Sequence, residues 1–294
     1  MNRLAKAACV AAALVGLAAP APASAQEKLR PFVLASETAG TLAAKIAEVT
    51  AALGRVGFEL AGQYAPYEGA HVIVVTDDEL RRTAAKTKNV GFGAGQRVSV
   101  TQVGDKVQVA YANPPYWAAA FRMEGRLAGI ADKLKTALGG MRPFGSEDGI
   151  TEAELRDYHY MIFMPYFDDE DTIGRASTYQ EMIARVEQRL ASRRGGVAKV
   201  YRIDIPGKEE TVFGVSQASG ISADKDKMGH IDVASPKHTA HLPYEFIVSG
   251  NRAYALNGKF RIAISFPDLT MGTFIRINDV PSAIRDALSA VASE

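Results

Sequence analysis

Cysteine is nearly missing from this 294-residue chain: Cys9 is the only one. It lies in a stretch that opens with Arg3 and Lys6 and runs through the apolar segment Ala7 to Ala19. That segment is too short and too alanine-rich to span a bilayer, which takes about 20 apolar residues. Ala23-Ser24-Ala25 has the small-x-small form of a cleavage site, so residues 1–25 read as a secretory signal removed after Ala25. The mature chain then has no thiol, which excludes disulfides, a cysteine nucleophile and thiolate metal sites. Charge of one sign is also missing. Lys and Arg number 34 against 33 Asp and Glu, and removing Arg3 and Lys6 turns a net charge of +1 into −1. Such a chain has no general attraction for a polyanion, which argues against nucleic-acid binding. No other run is long and apolar enough to cross a membrane. Phosphate loops, nucleophile-elbow serine pentapeptides and H-E-x-x-H are all absent. The expected location is the periplasm.

What is present is a plan used twice. Val107, Val109, Tyr111, Pro114 and Phe121 stand 153 positions before Phe260, Ile262, Ile264, Pro267 and Phe274. After a slip of one, Ile130 and Leu134 match Ile284 and Leu288. A copied apolar spacing points to one folding unit repeated. In the first unit, 26–140, the pattern predicts a strand from Phe32 to Ser36. A helix follows with Leu42, Ile46, Val49 and Leu53 on one face, capped by Thr38 or Thr41. Four strands come next: Phe58 to Tyr64, His71 to Thr76, Arg97 to Val103, and Lys106 to Tyr111. Gly104-Asp105 makes a hairpin turn between the last two. Val98 and Val100 alternate with Arg97, Ser99 and Thr101, as in a sheet wet on one face. A helix carrying Leu127, Ile130, Leu134 and Leu138 closes the unit.

Residues 141–149 have linker composition, and the second unit, 150–294, repeats the order. Strands are predicted at Tyr160 to Met164, Val200 to Ile205, Thr211 to Ser216, Tyr244 to Ser249 and Lys259 to Ser265. Helices are predicted at Thr178 to Ser192 and Pro281 to Ala292. The fold class is α+β: two tandem strand-helix-four-strand-helix modules with antiparallel sheets and helices on one face. That order, with glycine-phenylalanine after the first helix and the stretch "VQVAYANPPYWAAAFRM", resembles the domain-of-unknown-function 302 family. The resemblance implies a fold like one half of the TATA-binding protein. "YHYMIFMPYFDD" and "HLPYE" look like an exported bacterial subgroup of that family with no assigned activity, so no catalytic residue carries over.

Four constellations bear on chemistry. His230, His238 and His241 share one polar loop, and converging imidazoles are the usual ligands of zinc or copper; scattered solvated histidines are the plainer reading. Asp168, Asp169, Glu170 and Asp171 offer hard oxygen ligands. A calcium loop from Asp169 lacks its closing carboxylate, because Gln180 stands at position twelve. The loop from Asp224 fails in the same way, and solvated acidic turns account for both. Gly91-Phe92-Gly93-Ala94-Gly95 lacks the following helix of a dinucleotide fingerprint and reads as a mobile loop. The aromatics Tyr111, Tyr116, Trp117, Tyr158, Tyr160, Tyr166 and Phe167 suit either a core or a ligand wall.

These features favour an exported, non-catalytic binding or accessory protein whose partner is a small molecule, a lipid or another exported protein. Its expected ligand residues are His241, Tyr244 and Glu245, with Tyr158, Tyr160 and Asp168. The alternative is a metal-binding protein or metal-dependent enzyme built on His230, His238 and His241.

Overall fold

The computed structural model describes residues 27–87 and 90–294. The expected signal, its cleavage site and Cys9 lie outside them. No helix among the described residues is long and apolar enough to cross a membrane.

The chain is α+β, and its two larger sheets share one order of five strands. In the first half come β1 (Lys28–Leu29), β2 (Phe32–Ala39), α1 (Leu42–Arg55), β3 (Glu59–Tyr64), β4 (Ala70–Thr76), α2 (Asp78–Lys86), β5 (Gln96–Val103), β6 (Lys106–Ala112), α3 (Pro114–Ala120) and α4 (Ala128–Leu138). Then β7 (Arg142–Phe144), β8 (Ile150–Thr151) and α5 (Glu152–Arg156) lead into the second half. There follow β9 (Asp171–Arg175), α6 (Tyr179–Ala191), β10 (Val197–Asp204), β11 (Glu210–Gln217), α7 (Asp224–Ile231), β12 (Tyr244–Ser249), β13 (Arg252–Ala255), α8 (Gly258–Ser265), α9 (Met271–Arg276) and α10 (Val280–Ala292). One sheet runs β3-β4-β5-β6-β2-β7 and the other β10-β11-β12-β13-β9. Each module's first strand thus sits beside its last, and all pairings within the two sheets are antiparallel.

Local chemistry explains the elements that the sequence predicted. Thr41 caps α1 by accepting from Ala44 N, and Thr178 caps α6 by accepting from Glu181 N. The predicted α1 stripe is real: Val49 and Leu53 are buried, while Leu42 and Ile46 pack half-buried against the core. Met182, Val186 and Leu190 bury the inner face of α6, each contributing on the order of 2 kcal/mol. Gly104 takes φ +61 in the β5–β6 hairpin.

Two predicted strands are not strands. Lys259 to Ser265 is the helix α8, started by the Asn257 side chain accepting from Lys259 N at 3.0 Å. Phe260 through Ser265 are all buried, so the alternation of large and small residues there reports no solvent face. Tyr160 to Met164 forms turns, and the first strand of this module is the short β9. The counterpart of β6 by position in the sheet is therefore β13, and α8 follows its Asn257 cap as α3 follows Asn113. The true offset at these caps is 144 positions, not 153. The predicted linker also carries structure, since β7 extends the first sheet by pairing with β2; just past the linker, β8 pairs with β1.

Helices cover one face of each sheet. Helices α1 and α4 lie against the first, α6 and α10 against the second. The other faces are not wet. A turn at Thr239–His241, between β11 and β12, packs on β4, β5 and β6 of the first module. The turn at Gly91–Gly93, between β4 and β5, packs on β11 and β12 of the second. Each module thus lends its middle connection to its neighbour's sheet. Arg97, Ser99 and Thr101, expected to face solvent, are buried, and so is Gln108 on the next strand. The glycine-rich turn is equally closed: a Cβ on Gly91 would meet Glu210, Val212 and Ile247, so it is a packed turn and not a mobile loop.

The sheets do not join in one ladder. Their edge strands β3 and β10 touch where Gly62, beside a bulge, lies against the Val200 backbone; an added Cβ would sit 2.1 Å from the Val200 carbonyl oxygen. Backbone cannot yield as a side-chain tip can. Gly62→Ala should therefore cost about 2–3 kcal/mol in chemical denaturation. Gly54→Ala, in the last turn of α1 with open space around it, should instead be neutral or stabilising by up to about 1 kcal/mol.

Candidate functional site

The residues buried between the modules form a charged network. Glu245, on β12, meets Arg97 of β5 at 3.5 Å and Arg261 of α8 at 3.3 Å, all three nearly inaccessible. Tyr201 donates to the same carboxylate at 3.2 Å. Arg261 Nη2 donates to the His241 carbonyl at 2.7 Å and Nη1 to Ser265 Oγ at 2.8 Å. The guanidinium groups of Arg97 and Arg261 lie 4.6 and 5.2 Å from the Trp117 ring centroid. Alongside, Lys227 Nζ holds Asp224 Oδ1 at 2.6 Å and Gln217 Oε1 at 2.7 Å, and Tyr64 donates to Asp224 at 3.0 Å. Asp224, expected in a solvated acidic turn, is in fact buried at the start of α7.

His241 and Tyr244 belong to this network. The His241 ring has both nitrogens engaged, Nδ1 with Ser265 Oγ at 2.8 Å and Nε2 with Tyr244 OH at 3.1 Å. Burial holds its pKa well below the ordinary histidine value, reinforced by the charges of Arg97 and Lys227. Burial likewise pushes the Glu245 carboxyl up, opposed by Arg97 and Tyr201, and pushes the Lys227 amine down, opposed by Asp224. His241, Tyr244 and Glu245 are thus closed to a ligand. They join the modules.

The other expected residues lie elsewhere. Tyr158 donates to the Ala263 carbonyl at 3.2 Å and Tyr160 to the Leu269 carbonyl. Asp168 pairs with Arg122 at 3.3 Å, and Glu170 with Arg252 at 3.0 Å. The acidic run is dispersed among separate partners. His230 is exposed at the end of α7. Among the described residues, no group of three or more His, Cys, Asp or Glu is placed to hold a metal ion.

His238, unlike the sealed His241, lines a cavity. A cleft of about 570 Å³ opens between the modules, with Phe144, Phe266, Ile231 and Leu269 as apolar walls and Arg30, Arg142, Glu147, Asp268 and His238 among its polar groups. The imidazole stacks on Phe266 at 4.7 Å and meets the edges of Phe32 and Phe144. Asp232 fixes it from behind, accepting from the His238 backbone N–H at 3.0 Å and facing Nδ1 at 3.3 Å. With Nδ1 donating to Asp232, Nε2 of the neutral ring is an acceptor. Nε2 makes no hydrogen bond among the described residues, and Gly145 leaves it uncovered: a Cβ there would lie 3.0 Å from it. The rim beside Gly145 is pinned from both modules. Arg30 donates to the carbonyls of Ser146 and Glu147, and Asp268 accepts from Glu147 N.

The sequence pointed to His238 through its spacing, but not to Asp232 as its orienting partner or to Phe144 and Gly145 from the supposed linker. The buried Arg97 and Arg261 were missed as a pair. The one available signal was an arginine set inside the apolar run of Phe260 to Ile264.

No family model matches the chain, and no curated protein matches it.

The network makes two expectations. Glu245→Gln leaves two buried guanidinium groups without a counter-charge and should lower unfolding free energy by about 3–5 kcal/mol, measured by denaturant titration. The second concerns pH. The unfolded chain protonates His241 near pH 6.5 and the folded chain only well below it, so stability is fully present above pH 6.5 and drains as pH falls beneath it. Compared with His241→Gln, the native protein should lose up to about 1.4 kcal/mol more per pH unit below pH 6.5.

Proposed function

We propose that this chain is an exported, non-catalytic binding or accessory protein that holds a small molecule in the cleft between its modules. The observation that carries this reading is the Asp232-backed His238 imidazole, whose Nε2 opens into a cleft with largely apolar walls. A few fixed polar groups in an apolar cleft at a module junction are the usual form of a ligand site. The chemistry favours a ligand with an apolar or aromatic body and one acidic group. That group would donate a proton to, or share one with, Nε2, and its anionic form would be balanced by Arg142. The duplicated strand order is in keeping with a tandem arrangement of modules like the domain-of-unknown-function 302 family, in an exported chain cleaved after Ala25.

A thermal-shift and NMR screen of aromatic and branched apolar carboxylic acids tests it. Stabilising ligands should shift the His238 ring resonances. His238→Phe keeps the aromatic packing and removes the nitrogens, and should weaken those ligands about tenfold to hundredfold. Ligands that bind the variant as tightly as the native protein would refute the proposal.

A further inference from the structure

Six of the ten exposed large apolar side chains among the described residues belong to two segments, the turns at 158–167 and the helix α9. They are Met161, Ile162, Phe163, Tyr166, Met271 and Ile275. Phe163 is fully exposed and has a left-handed backbone at φ +67, an uncommon conformation for a bulky side chain. Beneath this apolar lip lie two chambers. One is polar, about 740 Å³, with Asp169, Asp171, Asp279, Lys259, Arg285 and the His159–Tyr166 ring pair, whose centroids are 4.6 Å apart. The other is apolar, about 190 Å³, with Met161, Met164, Met271, Phe274, Ile275 and Ile277. Met164, Lys259, Asn278 and Pro281 line both, so the two chambers share a wall.

We propose that this double cleft binds a single-chain zwitterionic amphiphile, with its tail in the apolar chamber and its head group in the polar one. Three unbranched methionines suit a flexible chain, because they fill irregular gaps and adjust to what enters. The shared wall carries Lys259, whose ammonium makes no ion pair among the described residues; that is the place where the anionic group nearest the tail would fall. Arg285, by contrast, is engaged with Asp286 at 3.1 Å. A simple fatty acid fits poorly, since three carboxylates line the same chamber. Those carboxylates and the Tyr166 ring suit the cationic end of a zwitterion, through charge and through the ring face.

The test is calorimetric titration with dodecylphosphocholine below its micelle concentration. Saturable one-to-one binding is expected. Lys259→Gln, at an exposed position, should weaken it about fivefold. Ile275→Asp, also exposed, should weaken it about tenfold by removing apolar contact. His238→Phe should leave it unchanged, which separates this site from the junction cleft. Absence of saturable binding would overturn the proposal. So would equal affinity for an uncharged glucoside with the same tail, or binding only to intact phosphatidylcholine vesicles.

Discussion

The contact on which this structure turns is a carboxylate held between two guanidinium groups away from water. Glu245 comes from the second sheet, Arg97 from the first, and Arg261 from the helix that follows the second. The first module could not bury Arg97 alone, because an uncompensated charge in an apolar interior is costly, and its counter-charge comes from the second. The halves must therefore mate in one register. The charged cluster need not add net stability, since removing three charges from water offsets much of their attraction. Its effect is to penalise every other arrangement. Trp117 under both guanidinium groups and Tyr201 on the carboxylate fix the same geometry from two further elements.

The crossed connections follow from that mating. Once the inner sheet faces are turned towards each other, their polar rows need partners other than water. The 232–243 segment supplies them: Thr239 bonds Thr101 at 2.9 Å, and Lys237 N donates to Gln108 at 3.0 Å. This segment also carries His238 to the module boundary, where its ring enters a cage of Phe32, Phe144 and Phe266. The same stretch of chain thus joins the modules and positions the ligand-facing group. His238 and His241, three residues apart, have opposite fates: one opens on a cleft, and the other is sealed with both nitrogens bonded.

The two clefts differ in how they are built. The junction cleft has walls from both modules and a rim tied by Arg30 and Asp268, so it forms only in the folded whole. The double cleft belongs to the second module alone, under turns that leave large apolar side chains in solvent. That surface lies on the turns that precede β9 and on α9.

Much of the fold was legible in the chain. Thr41 and Thr178 marked helix starts, the Leu42-to-Leu53 stripe marked a buried face, and Gly104-Asp105 marked a hairpin, because each signal acts within a few residues. The α+β class was also readable, but the 153-residue spacing misplaced the register, because it set strand β6 against helix α8. Other features were not. The run at Lys259 to Ser265 alternates as a strand does, yet it is a helix buried on every side, where periodicity carries no information. Arg97, Ser99 and Thr101 showed the pattern of a wet face, and only the second module's arrival over them decided that they are dry. Sequence by itself determined what each segment prefers and which residues are polar. The tertiary structure decided which polar residues meet water, because exposure is set by what packs from far along the chain.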